Sequence, residues 1–310
     1  MQNQNLLSTV ILLIVVIVVI PVAAIFYDEP LNPLQTATLI QLVIAMSVIS
    51  IICFITGEIT SNYSQTDKLW SIMPFFYVLY VAYAGSWQPR LLLMFFVVAV
   101  WSIRLTYNFN RRGGYSWKFW TGEEDYRWTV LRNEPFLQGK WKFTLFNFFF
   151  ICFYQQALIL AFTLPAVAAM KSDTPIGIVD MVIAIVMIGF VVIETIADQQ
   201  QWDFQTEKHR RKKAGEPLNE EQAQGFISSG LWSKVRHPNY ASEQSIWIVF
   251  YLFSVIATGN WINWSMAGCV LLVILFKSSA DFSENISAGK YTAYRDYQKR
   301  VPKFIPKFWS

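Results

Sequence analysis

Apolar runs of about twenty residues recur along the chain, separated by polar stretches. A helical run of that length matches the ~30 Å hydrocarbon core of a bilayer at about 1.5 Å per residue. The pattern predicts spans near Leu6–Phe26, Thr36–Thr56, Leu69–Gly85, Leu91–Tyr107, Phe143–Ala168, Ile176–Ala197, Glu243–Thr258 and Trp261–Lys277. The last two are short and joined by Thr258-Gly-Asn-Trp261, which predicts a tight hairpin. The first has no small-residue cleavage site after it and is too long for the apolar core of a signal peptide. It is therefore expected to remain in the protein. The expected fold class is all-α: a polytopic membrane bundle of about eight transmembrane helices, with seven as the alternative.

Composition agrees with this pattern. Apolar residues make up 54% of the chain, charged residues 15%, and the mean hydropathy is +0.35. Soluble domains carry roughly 25% charged residues. Charge then sets orientation. With eight spans, all but Arg90 and Lys171 of the 25 Lys and Arg residues fall on one side; dropping one internal span destroys that sorting. The positive-inside rule then puts both termini and all long loops on the cytosolic side. The membrane is a bacterial inner membrane or that of the endoplasmic reticulum or another organelle. The net charge of +4 is interfacial, interleaved with Trp and Tyr, so it predicts contact with membrane lipid and no nucleic-acid partner. Cys53, Cys152 and Cys269 lie inside predicted spans without metal-ligand spacing. The two histidines, His209 and His237, exclude a His-rich metal site. No glycine-rich nucleotide loop and no internal repeat is present.

Candidate chemistry gathers on the cytosolic side. The stretch Gly230–Glu243 places Arg236, His237, Asn239, Tyr240 and Glu243 within eight residues and then enters an apolar run. Pro238 suits the first turn of a helix, where its missing N–H costs nothing. A helix cap with interfacial anchors and a mouth for a charged cofactor are both compatible with this pattern. Glu194 and Asp198, four apart, share a face at the end of the sixth predicted span. Glu194 falls inside the hydrocarbon boundary, where an ionisable group is expensive and suggests function. The run Lys208–Lys213 reads as a solvated basic patch, the alternative being a phosphate-binding role. The segment Asn108–Lys142 reads as an interfacial amphipathic helix, the alternative being that Asp125 and Arg127 pair and help roof a cavity. Lys277, Asp281 and Glu284 share a face of the last helix by spacing, and the hairpin is expected to let that face close over the His237–Glu243 entrance.

These residues together resemble a known family. The His237-Pro-Asn-Tyr240…Glu243 entrance, the Glu194-x3-Asp198 helix end, the hairpin and the Phe304-Ile-Pro306 tail are similar to the C-terminal domain of the steroid 5α-reductase superfamily. The nearest pattern is its mostly bacterial branch, DUF1295, which also shows Arg104 at a span end and Glu124-Asp125-Tyr126-Arg127. The resemblance covers roughly residues 60–308 and divides the chain into N-terminal transmembrane helices (1–59) and a reductase-like membrane domain (60–310). It implies an NADPH-dependent reductase of an activated C=C bond in a lipophilic small molecule, such as a steroid, an isoprenoid or a fatty enone. Carried over by motif, Asp198, Asn239, Glu243 and Lys277 grip the dinucleotide, with Arg236, His237 and Tyr240 of the same entrance. Lys277 replaces the usual Arg, and Glu194 a usual Asn. The family's proton-donating Glu and Tyr match Asp67 and Trp101; Tyr107 is the alternative phenol. No metal is implied. The same entrance occurs in S-adenosylmethionine-dependent lipid and isoprenylcysteine methyltransferases, which is the runner-up reading. A third is a non-catalytic subunit of a membrane complex that retains the fold.

Overall fold

Proline and side-chain caps set where the helices begin. The computed structural model describes residues 30–171 and 174–307, so the predicted span Leu6–Phe26 lies outside the described residues. Asn32 caps α1 (Pro33–Thr60). Its side chain accepts from the Gln35 amide at 2.8 Å, and the Gln35 side chain accepts from the Asn32 amide at 3.0 Å. This reciprocal pair satisfies two N–H groups that the first turn leaves without partners.

The third apolar run departs from the expected single span. It folds as α2 (Gln65–Leu69), a turn, and α3 (Met73–Ala84). Pro74 has no N–H to give to a carbonyl one turn back, so a helix cannot run through from Leu69. Twelve residues reach about 18 Å, short of the ~30 Å core. Next come α4 (Pro89–Arg111), α5 (Tyr126–Arg132) and α6 (Lys140–Phe146). A π-helical stretch, Asn147–Tyr154, joins α6 to α7 (Gln155–Thr163), and Pro165 starts α8 (Pro165–Ala169). The remaining helices are α9 (Ile178–Ala214), α10 (Glu220–Gln224), α11 (Pro238–Thr258), α12 (Met266–Lys290) and α13 (Tyr294–Arg300). The described residues contain no strand. Six helical segments among them are long and apolar enough to cross a membrane: Pro33–Thr60, Pro89–Arg111, Lys140–Ala169, Ile178–Ala214, Pro238–Thr258 and Met266–Lys290.

Two further expectations are corrected. The predicted amphipathic helix over Asn108–Lys142 is mostly irregular, with only the end of α4, α5 and the start of α6 helical. Gly113 and Gly122 take positive φ there, and Glu123 N–H bonds back to the Gly113 carbonyl at 3.0 Å, so glycine-bearing turns win over helix. The last span starts at Met266 rather than Trp261, because Asn263 Oδ1 binds the Ser265 amide and hydroxyl at 3.1 and 2.6 Å and holds a turn open.

Packing divides the chain into two compact units. The first takes the described residues up to Ala184 together with Val249–Leu271. Within it α1 packs on α3, α7 and the π segment, and α3 packs on α4. Gly268 lies so close to this core that an added Cβ would sit 2.1 Å from the Ala161 carbonyl oxygen. The buried Arg90 fork holds both oxygens of buried Asp180 at 2.7 and 3.1 Å and reaches Thr174 Oγ1 at 3.1 Å. The second unit comprises Ile185–Ile248 and Leu272–Ser310.

Candidate functional site

In the second unit the segment before α11 lies along α9. Leu231 N–H donates to Gln200 Oε1 at 3.0 Å, and the Trp232 indole donates to the Ala197 carbonyl at 3.1 Å. Gly230 is required at that approach: its φ is +58° and a Cβ would fall 2.6 Å from the Gln200 side chain. Pro238 then opens α11, as its place in the sequence predicts.

The entrance residues divide into two groups. Asn239 Nδ2 donates to Asp198 Oδ1 at 3.2 Å, pinning the first turn of α11 to α9. Glu243 on α11 and Glu194 on α9 each lie one turn further toward the apolar stretch of their own helix. Glu194, Asp198 and Glu243 are all buried. Glu243 accepts from the Trp247 indole at 3.0 Å. Nearby on α9, Gln201 Oε1 is buried with no hydrogen-bond partner. This half of the entrance is therefore a set of buried acceptors.

The second group is a structural lock. Buried Arg236 binds Glu284 of α12 through Nε at 2.7 Å and Nη2 at 3.2 Å. Its Nη1 donates to the Gln298 carbonyl at 3.0 Å and to the Val301 carbonyl. His237 Nε2 meets Glu284 Oε1 at 2.9 Å, and Gln298 Nε2 donates to Glu284 Oε2 at 2.9 Å. The backbone closes the same seam: Arg236 N–H to the Pro302 carbonyl at 2.8 Å and His237 N–H to the Lys303 carbonyl at 3.1 Å. Lys303 also pairs with Asp281. Tyr240 stacks on the His237 ring at 5.4 Å and meets Phe276 edge-on at 5.0 Å. Lys277 is exposed and makes no ion pair among the described residues.

The basic run on α9 is not uniformly solvated. Lys208 is buried and donates to the Gly225 carbonyl at 2.6 Å, while Arg210 and Arg211 pair with Glu207 at 2.8 and 2.7 Å.

In the first unit Asp67 sits on α2 and accepts from the Trp128 indole at 2.7 Å. Burial pushes its carboxyl above the ordinary carboxylate range, against the pull of the nearby Arg127 charge. Asp125 and Arg127 do pair, at 2.8 and 2.9 Å. Burial acts to raise Asp125 as well, but the Arg127 charge and hydrogen bonds outweigh it and hold Asp125 below its usual value. Glu124 accepts from Tyr63 N–H and from Arg132, both at 2.9 Å, so it ties the loop before α2 to α5. Tyr107 stands 66% exposed on α4 with the Arg111 guanidinium 5.9 Å over its ring; no contact joins it to Asp67. Trp101 is fully buried.

Sequence reasoning brought the helix face that carries Glu284 over the entrance but did not single out Glu284 as the partner of Arg236 and His237. Its spacing from Lys277 placed it on a helix face, but nothing local links it to a residue 48 positions away. It also missed Lys68 and Tyr77, both buried, the latter hidden inside an aromatic run.

A dinucleotide can be tested against these groups. Asp198, Glu243 and Gln201 Oε1 are acceptors that suit ribose hydroxyls and a carboxamide NH2. Lys277 is the exposed cation available for a phosphate. Arg236 and His237 are committed to Glu284, so they shape the entrance rather than offer donors to a ligand.

Comparison with known proteins gives two findings. The family model described as "Protein of unknown function (DUF1295)" matches residues 53–301. The uncharacterized protein C594.04c of Schizosaccharomyces pombe is 34% identical over 276 residues, covering 83% of this chain and 78% of that protein. No solved structure matches the chain.

Proposed function

The chain belongs to the DUF1295 family, and from that premise we propose that it is a membrane reductase that uses NADPH to reduce an activated C=C bond of a lipophilic small molecule. The observation that carries the reading is the Asn239–Asp198 bond with buried Glu243 beside it on α11. It fixes a row of acceptors at the water-side mouth of two helices that run into apolar segments. Those acceptors orient sugar hydroxyls, and Lys277 meets phosphate as a point charge. When bound, NADPH supplies the hydride. Asp67, whose proton affinity burial raises, is the proton donor that the resemblance implies. Arg236 and His237 act as positioning residues through Glu284.

One observation favours the runner-up. Glu194, Asp198 and Glu243 are three buried carboxyl groups, and acidic surroundings suit the sulfonium and ammonium charges of S-adenosylmethionine better than a phosphate. The two readings separate in one experiment. Purified full-length protein is titrated with NADPH and with S-adenosylmethionine while thermal melting is followed. A ligand at about 100 times its Kd adds ~2.7 kcal/mol of stability. Stabilisation by NADPH that is lost in Asn239→Ala and in Glu243→Ala supports the reductase. Stabilisation by S-adenosylmethionine alone reverses the ranking. Response to neither ligand favours the non-catalytic subunit.

A further inference from the structure

The basic run on α9 carries a cluster that the entrance does not use. Lys208 is only 6% exposed. Its ammonium lies 5.4 Å from the Phe204 ring centre and 5.7 Å from that of Tyr291. Lys290, the last residue of α12, sets its own ammonium 5.4 Å over the same Tyr291 ring. Two cations therefore flank one phenol. Lys212 follows Lys208 by one turn on the same face of α9. The charges of Lys212 and Lys290 both act on Lys208, with the Tyr291 hydroxyl beside it. Three like charges thus gather at one place, where they repel one another.

The acids on the same elements are committed elsewhere. Glu207 pairs with Arg210 and Arg211 at 2.8 and 2.7 Å, and Glu216 pairs with Arg210 at 2.8 Å. Glu221 takes the Ser228 and Ser229 amides, Glu284 is held by Arg236, and Asp296 pairs with Lys299 at 2.8 Å. Among the described residues no ion pair includes Lys208, Lys212 or Lys290. Cations at helix ends offset the dipole of the last turn, which accounts for Lys212 and Lys290. It does not account for Lys208, which is buried more than a turn before the end of α9.

The cluster stands on a fixed base. The Gly225 carbonyl accepts from Lys208 at 2.6 Å. Gly225 has a φ of +96°, and a Cβ there would fall 2.1 Å from Tyr291 Cε1, so only glycine lets that backbone approach the ring. Phe226 packs on Tyr291, Tyr294 and Tyr297 at 6.0, 5.0 and 5.2 Å.

We infer that Lys208, Lys212 and Lys290, with the Tyr291 hydroxyl, receive a phosphate monoester carried by a soluble ligand. Such a group brings close to two negative charges and three acceptor oxygens, which three ammonium groups and a phenol O–H can meet together. A lipid headgroup is out of reach. Lys208 lies eleven residues past Ala197, the predicted end of its span, or about 16 Å along α9. Headgroups extend only about 5–8 Å beyond the hydrocarbon on each side. On the dinucleotide reading, on which this last identification rests, the group is the 2′-phosphate that distinguishes NADPH from NADH. Asp198 and Lys208 are ten residues apart on α9, about 15 Å, a separation that suits the two ends of one dinucleotide.

The test uses full-length protein in detergent, titrated by calorimetry with adenosine 2′,5′-bisphosphate and with AMP, which lacks the 2′-phosphate. The bisphosphate is expected to bind about tenfold more tightly or better. Lys212→Gln and Lys290→Gln, both at exposed positions, should each cut that preference several-fold, and Tyr291→Phe should do the same. Lys213→Gln removes an equal charge about 100° round the helix and should bind as wild type. Equal wild-type affinity for the bisphosphate and AMP overturns the inference. So does a loss in Lys213→Gln that matches Lys212→Gln, since the effect is then one of net charge. Phosphatidic acid in nanodiscs that displaces the bisphosphate overturns the soluble ligand. NADPH and NADH are titrated separately. A preference for NADPH that survives in Lys212→Gln overturns the 2′-phosphate assignment and leaves the reductase reading intact. A bisphosphate preference lost in Lys212→Gln, with no response to NADPH, removes the reductase reading and leaves the phosphate site standing.

Discussion

Glu284→Ala is the sharpest test of how the C-terminal segment is held. Glu284 is buried and accepts from Arg236 twice, from Gln298, and from His237. Removing its carboxylate leaves the Arg236 guanidinium, itself only 9% exposed, with the Gln298 and Val301 carbonyls as its remaining partners. Breaking one side of a buried charge pair costs about 3–5 kcal/mol. That penalty falls on the closed state of the seam formed by residues 236–237 and 298–303. At about 1.4 kcal/mol per tenfold, the open population rises by roughly two to four orders of magnitude. Trypsin reads this population directly at Lys299, Arg300 and Lys303, because cleavage follows the open fraction when reclosing is fast. The expected result is tail cleavage accelerated by that factor, with cleavage in the loop at Arg112 and Lys118 unchanged. Glu284→Gln keeps an acceptor but loses the charge assistance, worth about 1 kcal/mol, so its acceleration should be about fivefold. Glu284→Ala cleaved in the tail at the wild-type rate would refute the lock.

Three further outcomes follow from the same structure. Asp67 binds its proton more tightly when folded, so its contribution is full below the unfolded carboxyl value and falls as pH rises toward the folded one. Asp67→Asn keeps an oxygen for the Trp128 indole; it should flatten that slope in melting curves between pH 4 and 8 and melt higher than wild type at neutral pH, and parallel profiles would contradict the argument. Gly268→Ala places a Cβ 2.1 Å from the Ala161 carbonyl, where backbone rather than a flexible side chain must give way; a loss of about 1–3 kcal/mol is expected in thermal unfolding, and wild-type stability counts against it. Asn239→Ala should fold, because two bonds of ~1 kcal/mol each are lost, yet show no stabilisation by NADPH; retained stabilisation makes Asn239 a helix cap only.

The all-helical character and most of the long apolar segments were legible because a bilayer imposes length, and length is visible in a run of apolar letters. The third run misled because residues 69–85 are apolar on both sides of Pro74, and hydropathy does not register a missing N–H. The entrance was legible as a cluster, since Arg236 through Glu243 are adjacent in sequence and α11 begins at Pro238. Its division into an acceptor row and a lock was not, because the decision rests with Asp198, Glu284 and the Gln298–Lys303 backbone, brought in from far along the chain. Tyr107 shows the opposite failure. A phenol near the right place in sequence faces outward, while Tyr77, one aromatic among many in its run, faces in.

The Arg90–Asp180 pair has a consequence in time. Its members are ninety positions apart, and a ribosome adding about 5–20 residues per second makes the acid roughly 5–18 s after the base. Until then the Asp180 half of the pair does not exist. Burial of Arg90 is therefore a late step in biogenesis, completed only once the start of α9 has been synthesised.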